Sequence, residues 1–296
     1  MYTKNTMKLE YKIIDKKYIS IKQILKEEFY MSDRLIIRLK RNNHIYLNNK
    51  SIPIYTIFKL GDILTIDLDF EEESENIIPT KMNLDILYED DALLIINKPS
   101  NTPVHPSMMN FENSLSNGIK YYFDQRNIKR KMRPVNRLDK NTSGIVVFAK
   151  NQYIQECLIK QMKLCTFKKE YIAILEGNLK NKSGTINAPI ARKENSIIER
   201  TISQEGSSSI THYKLLKNYA NYCLVKFILE TGRTHQIRIH SRYIGHPILG
   251  DTLYGNSSPL ITRQALHALK IQFIHPITQR HINIIAKLPD DIINLI

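Results

Sequence analysis

The order of apolar and polar residues along the chain predicts a small unit of two helices and short strands at its beginning. Residues 20–29 repeat apolar side chains at helical spacing, and Ser32 is a suitable N-cap for a second helix that ends in basic residues. Strands are predicted at Ile45–Leu47 and, after a Gly61-Asp62 turn, along residues 64–68. This pattern favours a compact α/β unit.

An acidic stretch without periodicity, residues 71–76, follows this unit and is ended by Pro79. Consecutive carboxylates without an apolar repeat are typical of a linker. We therefore predict an N-terminal domain at residues 1–70, a linker at about 71–83 and a larger domain at 84–296.

The larger domain alternates strand-like segments with few helices. Strands are predicted at residues 86–91, 93–96, 145–149, 170–175, 185–188, 209–215, 222–230, 265–273 and 281–286. One helix is predicted at 151–162, and another begins after Thr234 as its N-cap and ends before Gly245 and Pro247. We expect an α+β fold with a mixed or antiparallel β-sheet and flanking helices.

Composition narrows the class of protein. In 296 residues, 42% of them hydrophobic, no run approaches the ~18 apolar residues of a membrane span, and residues 1–10 lack the apolar core of a signal peptide. Three widely spaced cysteines make neither a disulfide framework nor a metal knuckle. We expect a cytoplasmic protein with no membrane contact.

The formal net charge of +14 points to a polyanionic partner. Heavy use of Lys, Ile and Asn is also what an AT-rich coding sequence would produce. Charge alone therefore favours a nucleic-acid partner without establishing one.

A charged loop that leads into an apolar run, residues 133–150, is the strongest chemical feature. Asp139 lies between Arg137 and Lys140, just before the predicted strand at 145–149. Fixed cations favour the ionised carboxylate, and a rigid strand would hold it in place, as electrostatic or nucleophilic catalysis requires. The alternative is an aspartate in a turn, paired with Arg137.

Four segments of the larger domain resemble, in order, the motifs of the RluA-type pseudouridine synthases. Residues 136–144, Asn-Arg-Leu-Asp-Lys-Asn-Thr-Ser-Gly, resemble the family's His-Arg-Leu-Asp-x-x-Thr-Ser-Gly, with Asn136 where the family often has His. Residues 84–106, 168–173 and 231–251 are similar to the first motif, the tyrosine motif and the third motif. The resemblance covers roughly residues 84–296.

The resemblance implies Asp139 as the catalytic aspartate, Tyr171 as the ring that stacks on the target base, and Arg238 as the cation paired with Asp139. It also implies that Arg137 fills the space left by the extruded nucleotide. We count Arg233 and His235 of the third motif as RNA-binding residues. Isomerisation of uridine oxidises nothing and releases no group, so we expect no cofactor and no metal. Whether Asp139 acts as nucleophile, as base at C2′ or as electrostatic partner stays open.

The N-terminal unit resembles an S4 RNA-binding domain, in which the second helix and the following strand present basic residues to RNA. Arg34, Arg38, Lys40 and Arg41 occupy the matching stretch. The alternative is a solvated basic face of a helix.

Together these observations predict a monomeric, cytoplasmic RNA pseudouridine synthase whose substrate is ribosomal RNA of the large subunit or transfer RNA. One alternative is a non-catalytic RNA-binding or ribosome-assembly protein on the same fold. The other is a metal-dependent RNA hydrolase, which would need a cluster of paired acidic or His/Asp ligands that the sequence does not show. A separate alternative is a zinc site at His235, His240 and His246. These histidines share no clear face and have no accompanying cysteines or paired carboxylates.

Overall fold

The computed structural model describes residues 7–72, 76–107 and 111–296, so the start of the predicted N-terminal domain and residues 73–75 of the predicted linker lie outside the described residues. The helices are α1 (Ile21–Glu27), α2 (Asp33–Arg41), α3 (Leu115–Asp124), α4 (Gln152–Lys163), α5 (Gln236–Tyr243) and α6 (Asp290–Ile293). The strands are β1 (Lys8–Lys12), β2 (Ile45–Leu47), β3 (Lys50–Ser51), β4 (Ile63–Asp67), β5 (Asp85–Glu89), β6 (Leu93–Lys98), β7 (Arg133–Pro134), β8 (Ser143–Ala149), β9 (Lys168–Glu176), β10 (Ser183–Asn187), β11 (Ile190–Arg192), β12 (Arg200–Ile202), β13 (Ile210–Asn218), β14 (Tyr222–Leu229), β15 (Leu266–Ile274) and β16 (His281–Ile285).

The N-terminal unit packs α1 and α2 against a four-stranded sheet with strand order β1-β4-β2-β3. Both predicted helices are present, and the hydroxyls of Ser20 and Ser32 accept hydrogen bonds from the backbone three residues on. The β2–β3 turn runs through Asn48 and Asn49, both at positive φ, which asparagine tolerates better than most residues. The strand β1 was not predicted.

A ten-stranded sheet forms the larger part of the molecule. Its central path is β10-β13-β14-β9-β15-β8-β6-β5, with β16 paired to β15 and β7 paired to β8. The pairs are antiparallel except β15 with β8, which is parallel. The predicted α+β fold on a mixed sheet is therefore confirmed.

The parallel pair needs a very close approach of two backbones. Gly144 has φ of +111°, and a Cβ there would lie 2.3 Å from the carbonyl oxygen of Ala268 on β15. Only glycine fits without displacing the strand. The loop of residues 135–142 is thus joined to the centre of the sheet.

Apolar clusters cover both faces of this sheet. Helix α4 packs on one cluster through Ile154 and Leu158, and α3 packs on another through Ile119 and Phe123. Helix α3 was not predicted, although Ser114 and Asn117 form a reciprocal capping box at its start.

The prediction of Thr234 as the N-cap of the helix after the third motif is wrong. The cap residue is His235, in the left-handed conformation with φ of 58°, and it makes no side-chain cap bond. The end of the helix is as predicted, because Gly245 follows it at positive φ. The shift by one residue turns the His235 side chain towards the loop of Asp139.

The N-terminal unit lies against α4 and the large sheet. Its apolar core belongs to the same cluster as Ile154 and Leu158 of α4. The carboxylate of Glu156 on α4 accepts hydrogen bonds from the backbone N–H and the hydroxyl of Ser32, so it caps α2 from the other unit. No helix of the described residues is long and apolar enough to cross a membrane.

Candidate active site

Asp139 lies in the loop between β7 and β8, and Asn136 anchors that loop to the strand. The Asn136 amide donates to the carbonyl of Ile145 at 3.0 Å and accepts from the N–H of Val147 at 2.9 Å. The position where the resembling family often has His therefore serves here to satisfy two buried backbone groups of β8.

Lys98 supports the same loop from behind. Its fully buried ammonium donates to the carbonyls of Pro99, Thr102 and Lys140, at 2.8, 2.8 and 3.0 Å. Burial lowers the pKa of Lys98 to about 7. The nearby negative charge of Asp139 has the opposite effect on this pKa but is the weaker of the two. Since Lys140 follows Asp139, this lysine fixes the backbone beside the carboxylate.

Arg238 joins Asp139 to a second carboxylate. Its Nη1 donates to Asp139 Oδ2 at 3.0 Å. Its Nε donates to Asp251 Oδ2 and its Nη2 to Asp251 Oδ1, both at 2.7 Å. Burial alone would lower the pKa of Arg238, but its hydrogen bonds and the charges of Asp251 and Asp139 outweigh burial and raise it. The guanidinium is thus a permanent cation held in one plane by Asp251.

His235 lies close to the same oxygen of Asp139 as Arg238 does. Its Nδ1 lies 2.8 Å from the hydroxyl of Tyr254, which also accepts from the N–H of Arg200. Burial lowers the pKa of His235, so the imidazole is neutral at pH 7, although the charge of Asp139 opposes this. The other ring nitrogen, Nε2, lies 3.7 Å from Asp139 Oδ2.

Tyr171 comes from β9, next to these groups. Its side chain is buried, and burial, followed by the charge of Asp139, raises the pKa of its phenol, so the hydroxyl stays neutral. Tyr171 and Asp139 line the same cleft, which has a volume of about 920 Å³. A flat ring beside an ionic pair offers a surface on which a planar base can stack.

The structure brings together most of the site residues expected in the larger domain. Arg137 and Arg233 are exposed and line the cleft with Asp139 and Tyr171. His235 and Arg238 line a smaller recess that also contains Asp139.

The basic residues expected in the N-terminal unit lie on α2, and none of them lines the cleft. Arg34, Lys40 and Arg41 are exposed. Arg38 is partly buried, lies over the ring of Phe70 and is paired with the carboxylate of Glu72.

The histidines of the third motif bond to protein groups. The ring of His240 contacts Thr211 and the carbonyl of Ala188, and His246 contacts the carbonyl of Glu176. In the described part of the chain, no three side chains of His, Cys, Asp or Glu lie together as a group able to hold a metal ion.

Two residues that shape this geometry were not predicted from the sequence. Asp251 is the last residue of the segment similar to the third motif, but neither Asp251 nor Lys98 was assigned a catalytic role from the sequence. The acidic residue after Gly250 was the available signal for Asp251, but its contact with Arg238 depends on a turn that brings it back to α5.

Comparisons of the sequence and the structure with known proteins give mutually consistent matches. The profile of a family described as RNA pseudouridylate synthase matches residues 92–243. An uncharacterized RNA pseudouridine synthase of Bacillus subtilis (strain 168), YhcT, is 42% identical over 92% of this chain and 90% of the relative. The ribosomal large subunit pseudouridine synthase D of Blochmanniella floridana is 36% identical over 76% and 75% of the two chains. The solved structure of human RNA pseudouridylate synthase domain containing 1 superposes with a TM-score of 0.58 and 25% identity, over 70% of this chain and 84% of that one.

Proposed function

Since the chain belongs to the RNA pseudouridylate synthase family, isomerases that act on RNA, we propose that it converts uridine to pseudouridine in large-subunit ribosomal RNA. In this proposal Asp139 is the catalytic carboxylate and no cofactor takes part. The observation that carries it is the Asp139–Arg238–Asp251 chain beside Tyr171 in one cleft.

The reaction breaks the N1–C1′ bond, turns the base and joins C5 to C1′. Asp139 serves this chemistry at the sugar, as nucleophile, as base at C2′ or as the partner of a cationic sugar. Arg238 keeps its negative charge oriented, and the neutral hydroxyl and ring of Tyr171 hold the base while it turns. A proton then leaves C5 to a base or a positioned water.

The target uridine must leave its stack before it reaches Asp139. Extrusion costs a few kcal/mol, which stacking on Tyr171 offsets. In this proposal Arg137, which is exposed and lines the cleft, occupies the space that the nucleotide leaves.

The ribosomal substrate is favoured over transfer RNA by the relatives whose names refer to the ribosomal large subunit. We assign RNA binding outside the cleft to the S4-like N-terminal unit, where Arg34, Lys40 and Arg41 are exposed on α2. In this proposal the protein acts as a monomer in the cytoplasm. The free thiols of Cys157, Cys165 and Cys223 are consistent with a reducing compartment. A non-catalytic RNA-binding role is not favoured, because it would leave the Asp139–Arg238 pair without a purpose.

The decisive experiment maps pseudouridine across total RNA from cells with and without the gene, and from deletion cells that carry either the intact gene or Asp139→Asn. We expect sites in large-subunit ribosomal RNA to disappear and to return only with the intact protein. Sites found only in transfer RNA would correct the substrate. If no site changed, the proposed activity would be wrong.

Purified Asp139→Asn provides the matching biochemical prediction. Turnover should be lost, while affinity for RNA should stay within a few-fold because phosphate contacts supply most of the binding. Turnover close to that of the wild type would show that another group carries the chemistry.

A further inference from the structure

Lys169, a lysine that lines the cleft, has no role in the proposed mechanism. Lys169 lies two residues before Tyr171 on β9, so both side chains are on the same face of the sheet, and both line the cleft. The Lys169 side chain is only 9% exposed.

The carboxylates around Lys169 are engaged elsewhere. Glu170 points to the other face of β9 and lies 3.4 Å from Lys226, and Glu230, on the cleft wall, bonds His212 at 2.6 Å. Among residues 7–72, 76–107 and 111–296, no carboxylate lies within ion-pair distance of the Lys169 ammonium. Burial lowers the pKa of this lysine, and the thiol of Cys165 opposes that effect without cancelling it.

The surroundings keep room for a ligand at this ammonium. Gly232 of the neighbouring loop lies close to the ammonium, and a Cβ there would be 3.2 Å from Lys169 Nζ. The residue next to Gly232 is Arg233, which is exposed on the same cleft wall. A small residue and a second cation beside a buried ammonium are suited to an anion.

We propose that the ammonium of Lys169 binds a phosphate oxygen of the RNA backbone next to the target uridine, an assignment that rests on the proposed function. An anionic phosphate oxygen supplies the counter-charge that the buried ammonium lacks. A neutral carbonyl of the base supplies only a partial negative charge. Because Lys169 and Tyr171 share one strand face, binding the phosphate sets the distance between the backbone and the stacked base. Lys169 is thus a positioning residue for the flipped nucleotide.

The test first locates a uridine that the wild-type protein converts in a transcript of large-subunit ribosomal RNA. Three synthetic stem-loops then carry that uridine: one unmodified, one with a methylphosphonate on its 5′ side and one with a methylphosphonate on its 3′ side. Each neutral linkage removes one phosphate charge. If the wild-type protein converts no uridine, the proposed function fails, and this inference fails with it.

Lys169→Met keeps the length and apolar body of the side chain but removes the charge. On the unmodified RNA we expect kcat/KM to fall about 10- to 100-fold, the range for a lost charged hydrogen bond. The slope of log affinity against log salt should become shallower by about 0.7, the contribution of one phosphate contact in single-stranded RNA. Lys168→Met, at the exposed neighbouring position, is the control for net charge and should change kcat/KM less than threefold.

The methylphosphonates separate this role from a structural one. One of the two should slow the wild-type protein about as much as Lys169→Met does, and should slow the Lys169→Met variant little further. Lys169→Arg should recover part of the loss on unmodified RNA and none of it on that analogue. An active wild type with equal losses for Lys169→Met on all three RNAs, or with no loss at all, would overturn the assignment.

Discussion

At the scale of single residues, Asp251 determines how Arg238 meets Asp139. It takes both Nε and Nη2 of the guanidinium, which leaves Nη1 for the carboxylate of Asp139. We predict that Asp251→Asn lowers kcat about 10- to 100-fold, with a smaller effect on KM, because charged hydrogen bonds of about 1.5–3 kcal/mol orient the cation. Steady-state kinetics would measure the split, with the exposed Asp290→Asn as the control. An unchanged kcat would show that Asp139 alone positions Arg238.

His267 couples the stability of the central sheet to pH. It is fully buried, its Nδ1 lies 2.9 Å from the hydroxyl of Ser143, and burial lowers its pKa to about 4. Nε2 has no hydrogen-bond partner in the described part of the chain, so a second ring proton would find no acceptor. The folded state therefore holds His267 neutral, whereas the unfolded chain takes up a proton below about pH 6.5.

The sign of the pH dependence of stability follows from this difference in the number of bound protons between the folded and unfolded chains. The contribution of neutral His267 to the free energy of unfolding is fully present above about pH 6.5 and is lost as the pH falls towards 4. We predict that the drop in unfolding free energy between pH 7 and pH 5 is about 2 kcal/mol smaller in His267→Asn than in the wild type. Urea titrations at the two pH values would measure it. Equal drops would mean that His267 does not control the acid sensitivity.

At the scale of elements, Asn136 holds the Asp139 loop to β8 through both ends of its amide. We predict that Asn136→Ala destabilises the protein by about 2–4 kcal/mol, because an N–H and a carbonyl of a buried strand lose their partner. The control is Asn141→Ala, since the side chain of Asn141 is exposed in the same loop. Chemical denaturation would compare the two variants, and equal stabilities would refute the anchoring role.

The elements that sequence periodicity predicted are those whose apolar spacing is clear, such as α4 and β8. Helix α3 was missed because its capping box uses Asn117 in place of the usual Glu or Gln and Gly118 interrupts the helical repeat. The start of α5 was misplaced because the left-handed conformation of His235 is set by tertiary contacts with Tyr254 and the Asp139 loop. Asp139, Tyr171 and Arg238 were assigned as a group through family resemblance, whereas the roles of Asp251 and Lys98 depend on folding and became visible only in three dimensions.

At the scale of the whole molecule, the N-terminal unit is fastened to the larger domain by buried charges. Glu72, 5% exposed, pairs with Arg38 of α2 and with Arg133, whose Nη1 lies 2.8 Å from it. Asp69 pairs with Arg130 close by, and Glu156 of α4 caps α2. These contacts hold helix α2 in a fixed orientation relative to the cleft.

We predict that Glu72→Ala loosens this attachment, because two partly buried arginines lose their anion at a cost of about 3–5 kcal/mol. Amide hydrogen exchange should speed up in α1 and α2 and stay unchanged in β8 and β9. Affinity for RNA should fall while kcat at saturating RNA is kept, since the Asp139 site is not touched. The exposed Glu71→Ala is the control, because its contact with Lys129 is a surface pair at 3.2 Å. Faster exchange throughout the sheet would mean that Glu72 supports the global fold rather than the attachment of the N-terminal unit.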